Sequence, residues 1–279
     1  MHDKTMTIYA KQNDDLNSVF NTMTDGPLTV QLPKECTFRQ KVFIDRDDLT
    51  VIGNGSKIVY SDHNGMRPGF GTGASATLTI RSKNAALKNL VVENDFDYMG
   101  NEAKPGEDPV RMMGRQAVAV FTTTDSTDST FIDCRFFSWQ DTLFADGKES
   151  RFENCEISGN IDFIFGRSHA VFEHCKIISV GPGFVAAPST SENKPYGLCF
   201  KDCIITCTSD VPDRSVYLAR PWHPSERSDT NSCVSFWNCT LDRHINPEIW
   251  TTMWDKKGHN HLPSENRFSI DEATLKTLR

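Results

Sequence analysis

Hydrophobic positions in this chain fall into short alternating or β-branched runs separated by Gly, Asn, Asp and Ser, the pattern of many brief strands joined by tight turns. Residues 28–32, 42–44 and 49–52 are the first such runs, and Gly53-Asn54-Gly55 follows them as a turn. Ahead of them, Leu16, Val19, Phe20 and Met23 are spaced i, i+3, i+4, i+7, which predicts a short amphipathic helix before Gly26-Pro27 in a cap over residues 14–24.

Further along, the pattern repeats. Five segments place an apolar residue two or three positions before a cysteine, a polar residue just before it and an apolar residue two after it. They are Phe131-Ile132-Asp133-Cys134-Arg135-Phe136, Phe152-Glu153-Asn154-Cys155-Glu156-Ile157, Phe172-Glu173-His174-Cys175-Lys176-Ile177, Phe200-Lys201-Asp202-Cys203-Ile204-Ile205 and Phe236-Trp237-Asn238-Cys239-Thr240-Leu241. The steps are 21, 20, 28 and 36 residues, and Leu87-Lys88-Asn89-Leu90-Val91 reads as an earlier copy with Asn89 in the cysteine place. A period near 20 built of short strands predicts an all-β parallel β-helix, each coil stacked on the last at about 4.8 Å. Antiparallel sandwiches also alternate, but seldom repeat identical residues at a near-constant offset. Residues 94–115 and 221–231 interrupt the period as loops. From Gly258 the repeat is lost, and the tail over 256–279 ends in a helix at 270–278. The N-terminal helix would cover one exposed end of the stack.

Length then ceases to argue for two domains. A compact globule of 279 residues would sit near the upper limit for one core, whereas a solenoid adds core coil by coil, so residues 1–279 are expected to form one domain. A formal charge of -7 with no cluster of Lys and Arg argues against nucleic acid. No apolar run approaches a membrane span, and Met1-His2-Asp3-Lys4-Thr5-Met6 leads into no signal-peptide core, so an unexported, cytoplasmic monomer without membrane partners is expected unless a leader precedes this numbering. The odd count of nine cysteines fits interior thiols better than disulfides. Cys199, Cys203 and Cys207 recur every four residues, as on one face of a strand, and lack the spacing of a metal cluster. His244 and His259-Asn260-His261 are expected at the surface.

With the cysteines as a ruler, Asp141 lies seven residues after Cys134 and Asp162 seven after Cys155, so the two occupy the same place on consecutive coils. Carboxylates stacked that closely cannot both ionise cheaply, which divides them into a protonated acid and an ionised nucleophile or base. Gln116 precedes Gln140 by 24 residues, about one coil, so two amides can converge as N–H donors for a developing oxyanion. Arg220 supplies a guanidinium fork for Asp162, and Trp222 an aromatic face for a sugar ring.

Four segments, Gln116-Ala117-Val118-Ala119-Val120, Gln140-Asp141-Thr142-Leu143, Asp162-Phe163-Ile164-Phe165-Gly166 and Tyr217-Leu218-Ala219-Arg220-Pro221-Trp222, resemble in order and spacing the signature segments of pectin methylesterases, carbohydrate esterases of the right-handed parallel β-helix class. The resemblance runs from about residue 7 to residue 255. It implies hydrolysis of galacturonate methyl esters in pectin or its fragments, with methanol released through an acyl-Asp intermediate and without metal or cofactor. Asp162 matches the nucleophile, Asp141 the acid and base, Gln116 and Gln140 the oxyanion donors, and Arg220 the residue that fixes the nucleophile; Trp222 and Phe165 match the aromatics of the substrate cleft, and Ile161, just before Asp162, and Tyr217 are further substrate-binding candidates. The family's Gly-x-Tyr-x-Glu stretch is reduced here to Cys36-Thr37-Phe38-Arg39-Gln40, and residues 250–279 follow the family poorly, so contacts at Met253 or Trp254 are not carried over. Two other functions remain open: a pectate lyase or polygalacturonase on the same fold, and a polysaccharide-binding β-helix without catalysis. A chain with reduced cysteines and no leader points to an intracellular bacterial enzyme working on oligomers.

Overall fold

The computed structural model describes residues 5–108, 111 and 114–278. Its strands wind round one long core as three stacked faces, and neighbouring coils pair in parallel throughout. Ten strands, from Met6–Tyr9 to Arg267–Ile270, form the first face. The second runs from Thr37–Arg39 to Thr240–Leu241 and the third from Val42–Ile44 to Val216–Ala219. Two long strands, Glu156–Gly166 and Lys176–Pro188, pass through both of these faces and join them into one sheet of 13 strands. The architecture is the parallel β-helix that the repeat predicts.

The corner between the first and second faces explains the repeat. Asp133, Asn154, His174, Asp202 and Asn238 all adopt φ between 52° and 54°, the left-handed region that Asn and Asp enter more readily than most residues. The cysteine that follows turns inward, and its thiol donates to a carbonyl of the preceding coil at 3.4–3.6 Å. An apolar group of that size fills the corner, and the thiol answers a carbonyl there. Beneath the first face the repeat phenylalanines stack ring on ring, Phe131, Phe152, Phe172, Phe200 and Phe236, with centroids 4.5–4.7 Å apart. That spacing is the strand spacing, so the ring ladder and the backbone ladder reinforce one another.

Four expectations change. The repeat is not lost from Gly258 onward: Arg267–Ile270 pairs in parallel with Cys233–Trp237 as the tenth strand of the first face, and the helix predicted at 270–278 is only Glu272–Leu275. Lys88 pairs with Ile132 and Val91 with Arg135, so Leu90 fills the cysteine place and Asn89, at φ 49°, is the corner residue. Cys199, Cys203 and Cys207 do not share a strand face, because the corner at Asp202 sends Leu198–Lys201 and Ile204–Cys207 to different faces. Met23 is 94% exposed: the N-terminal helix is only Leu16–Phe20, with Asp15 as its cap, and buries Leu16 and Phe20.

Both ends of the stack are closed by side chains. The Asn17 carboxamide bridges Lys41 and Phe43 of the outermost third-face strand, and Asn21 reaches Phe43, Asp45 and Arg46, which satisfies a strand edge that has no neighbour. At the other end the short helix Glu272–Leu275 places Thr274 Oγ1 and Thr277 Oγ1 where the N–H groups of Cys239 and Leu241 donate to them, at 2.9 and 2.8 Å. The interruption at 94–115 holds a short helix, Tyr98–Glu102; residues 109, 110, 112 and 113 of that predicted loop lie outside the described residues. No helix among the described residues is long and apolar enough to cross a membrane.

Candidate active site

The site grows from the corner where the chain enters the third face. Asp141 and Asp162 both adopt left-handed conformations there, φ 67° and 49°. Leu143 pairs with Ile164 on the next coil, and the Asp141 N–H donates to the Ile161 carbonyl at 3.1 Å, so the two aspartates stand level on consecutive coils. Both are nearly enclosed, at 8% and 7% exposure. Burial, and after it the charge of Asp162, holds the Asp141 carboxyl well above the usual carboxylate range; Arg220 and a hydrogen bond from Gln140 oppose that rise without cancelling it.

Arg220 meets Asp162 with both arms of its fork, Nε to Oδ1 at 2.8 Å and Nη2 to Oδ2 at 2.5 Å. Its guanidinium carbon rests 3.8 Å from the centre of the Phe184 ring. Ion pair and ring together fix the orientation of the Asp162 carboxylate.

Gln116 and Gln140 pair as an isolated parallel bridge, with the Ala117 N–H donating to the Gln140 carbonyl at 3.1 Å. Asn64 Nδ2 and the Arg115 N–H donate to Gln116 Oε1 at 2.9 and 3.2 Å, so the amide NH2 of Gln116 is the group turned to its open side. Gly114, at φ 138°, makes this approach possible, because a Cβ there would stand 2.8 Å from the Asn64 carbonyl oxygen.

Outside the main core, Phe121, Phe144 and Phe165 stack at 4.4 and 4.3 Å along one register of the third face. Trp222 sets its edge against Phe144 and Phe165, with centroids at 6.2 and 5.6 Å. Phe144, Phe165 and Trp222 of this shelf, both aspartates, both glutamines and Arg220 line one cleft of about 370 Å³. Gly166 closes the shelf: at φ 121° its missing Cβ leaves room for the Ala145 carbonyl, which would otherwise be 2.0 Å away.

Of the residues picked out in the sequence, Asp141, Asp162, Gln116, Gln140, Arg220, Trp222 and Phe165 line the cleft. Ile161 and Tyr217 do not; they flank Phe184 in a neighbouring row, which holds the ring beneath Arg220. Met253 and Trp254 do contribute to the wall, beside Asp255 and Lys256, although the sequence there departs from the family. Sequence reasoning passed over Asn64, Thr72 and Phe144. Phe144 was within reach, since it follows Asp141 by three residues as Phe165 follows Asp162. Asn64 and Thr72 come from coils ahead of the cysteine repeat, where no ruler exists. His244 is fully enclosed, not at the surface as expected.

The pectinesterase family model matches residues 9–262. Pectinesterase A of Dickeya chrysanthemi is 33% identical over 266 residues, covering 86% of this chain and 73% of its own. A pectin methylesterase from Erwinia chrysanthemi superposes with a TM-score of 0.83 at 28% identity, covering 96% of this chain and 89% of that one. A pectin methylesterase crystallised with a hexasaccharide gives a TM-score of 0.86 at 28% identity, covering 95% and 87%.

Proposed function

The chain belongs to the pectinesterase family and is a carboxylic ester hydrolase of pectin, and we propose that it hydrolyses galacturonate methyl esters to methanol and free carboxylate through a covalent acyl intermediate on Asp162. The observation that carries this reading is the pairing of two buried aspartates in unlike surroundings, one in an arginine fork and one whose carboxyl is pushed well above the usual carboxylate range by burial.

In the first half-reaction a carboxylate oxygen of Asp162 attacks the ester carbonyl carbon, and the oxyanion that forms accepts N–H groups from Gln116 and Gln140. The intermediate collapses with cleavage of the carbonyl–methoxy bond, and Asp141 gives its proton to the departing oxygen, which leaves as methanol. In the second, Asp141, now a carboxylate, takes a proton from water as the hydroxyl attacks the substrate carbonyl of the anhydride. The galacturonic acid leaves, the Asp162 carboxylate is restored and Asp141 carries a proton again. Phe165, Phe144 and Trp222 offer apolar faces on which sugar rings can rest, with Ile161 and Tyr217 supporting the flank near Arg220.

Incubation with methyl-esterified oligogalacturonate tests this reading. Stoichiometric methanol with chain length unchanged is expected. Unsaturated ends would indicate a lyase, shortened chains a polygalacturonase, and binding without turnover a non-catalytic module; each would overturn it. We further propose that the enzyme prefers short oligomers, which higher kcat/KM on methylated trigalacturonate than on long pectin would support and the reverse order would exclude.

A further inference from the structure

One enclosed histidine takes no part in the cleft. His244 is fully buried, and neither Nδ1 nor Nε2 has a hydrogen-bond partner among the described residues. Desolvating an imidazole without answering either nitrogen is unfavourable, so a site that tolerates it calls for an explanation. The neighbours supply one. A ligating atom of His244, Cys207 Sγ and a carboxylate oxygen of Asp242 all lie within 4.8 Å of one another, and the three residues form the one group of this kind among the described residues. None of them lines the cleft.

The stacking of coils makes the cluster. Cys207 ends the strand Ile204–Cys207, and Ile204 and Ile205 pair with Thr240 and Leu241 on the next coil. Asp242 therefore stands level with Thr206, whose hydroxyl donates to Asp242 Oδ2 at 2.8 Å and orients the carboxylate. His244 follows two residues later and turns inward.

We propose that Cys207, Asp242 and His244 bind one divalent ion of the zinc class. Zinc accepts sulfur, nitrogen and oxygen together, at about 2.3 Å to sulfur and about 2.0–2.2 Å to nitrogen and oxygen, so its ligands stand about 3–4 Å apart, within small side-chain rotations of the separations here. A thiol and an imidazole are poor partners for calcium or magnesium, which take hard oxygen ligands. Local charge favours a cation: the carboxylates of Asp210, Asp213 and Asp242 lie near the Cys207 thiol against one guanidinium, Arg243. That guanidinium is turned to Asp213 and to the carbonyls of Val211 and Ser209. On binding, the Cys207 thiol gives its proton to solvent as the metal–sulfur bond forms, one ring nitrogen of His244 donates its lone pair, and no electron is transferred. Water completes the tetrahedron. Cys207 is half-buried and Asp242 exposed, so the ion enters from solvent. Outside the cleft, the ion would clamp two successive coils of the second face rather than take part in ester hydrolysis.

The test uses the full chain, reduced, stripped with a chelator and dialysed against zinc or cobalt(II). The wild type should retain one zinc per chain, show a thiolate-to-cobalt(II) charge-transfer band, and melt at higher temperature with zinc than without. Cys207→Ala, at a half-buried position that tolerates truncation, should lose all three signals while methanol release stays within about twofold of wild type. A wild type that retains no zinc overturns the proposal. So does a Cys207→Ala variant that holds zinc at the same stoichiometry.

Discussion

Replacing Asp141 with Asn separates what this residue does for the reaction from what it costs the fold. Asn has the same shape, tolerates the left-handed φ of 67° and is neutral at every pH, so it copies the protonated carboxyl without its acidity. The Asp141 carboxyl is pushed up in the folded state by burial first and the Asp162 charge second, relative to an unfolded value of about 3.9. The sign follows from proton counting. Below about pH 3.9 both states are protonated and Asp141 costs the fold nothing through ionisation; as pH rises the unfolded chain releases its proton first, and stability is lost until pH passes the folded pKa. Asp141→Asn should therefore match the wild type near pH 3.5 and be more stable than it at pH 7.5. Each tenfold difference in proton affinity between folded and unfolded states corresponds to about 1.4 kcal/mol, and for a chain of this size about 2 °C in Tm per kcal/mol. Thermal unfolding by circular dichroism from pH 3.5 to 8 reads the difference, and carbon NMR of the Asp141 carboxyl gives the pKa with which it must agree. Methanol release by the same variant should fall on the order of 10²–10⁴-fold, the range expected for loss of a general acid. A Tm difference that does not change with pH, a variant less stable at pH 7.5, or near-wild-type turnover would refute the assignment.

Gln140→Ala should lower kcat on the order of 10²–10³-fold with little change in KM, as expected for a donor that acts on the transition state; a raised KM with kcat unchanged would contradict that role. Arg220→Ala leaves a buried carboxylate without its partner and should destabilise the fold by about 3–5 kcal/mol, while adding Asp162→Ala should restore much of that loss, read by urea unfolding of both variants. If the double variant is no more stable than Arg220→Ala, the ion pair is not what that arginine contributes. Phe152→Ala, in the middle of the ring ladder, should cost about 3–5 kcal/mol, measurable in the same way; a loss below about 1 kcal/mol would mean the ladder packs loosely.

The repeat was legible because one corner is chemically demanding. A left-handed residue followed by a small buried group writes Asp-Cys, Asn-Cys or His-Cys into five coils, and that mark set the register joining Asp141 to Asp162. Where the corner is filled differently, as by Asn89 and Leu90, the same mark was misplaced by one residue. The cleft wall from Met253 to Lys256 could not be read, because it lies in the long excursion between the last cysteine repeat and the strand Arg267–Ile270, where no periodic mark sets its place. His244 was expected at the surface because it stands in no metal-ligand spacing along the chain; only the pairing of Thr240 and Leu241 with the coil before it shows that it turns inward. The end caps were half visible: the helix over Leu16–Phe20 follows from apolar spacing, but the carboxamides of Asn17 and Asn21 that close the strand edge leave no periodic signal.

The most direct measurement is chemical trapping of the acyl enzyme. Turnover of methyl-esterified trigalacturonate in the presence of hydroxylamine, followed by peptide mass spectrometry, should place a hydroxamate on the Asp162 side chain, dependent on substrate and absent from Asp162→Ala. Steady methanol release with Asp162 unmodified, together with turnover by Asp162→Ala near the wild-type rate, would contradict covalent catalysis by this residue.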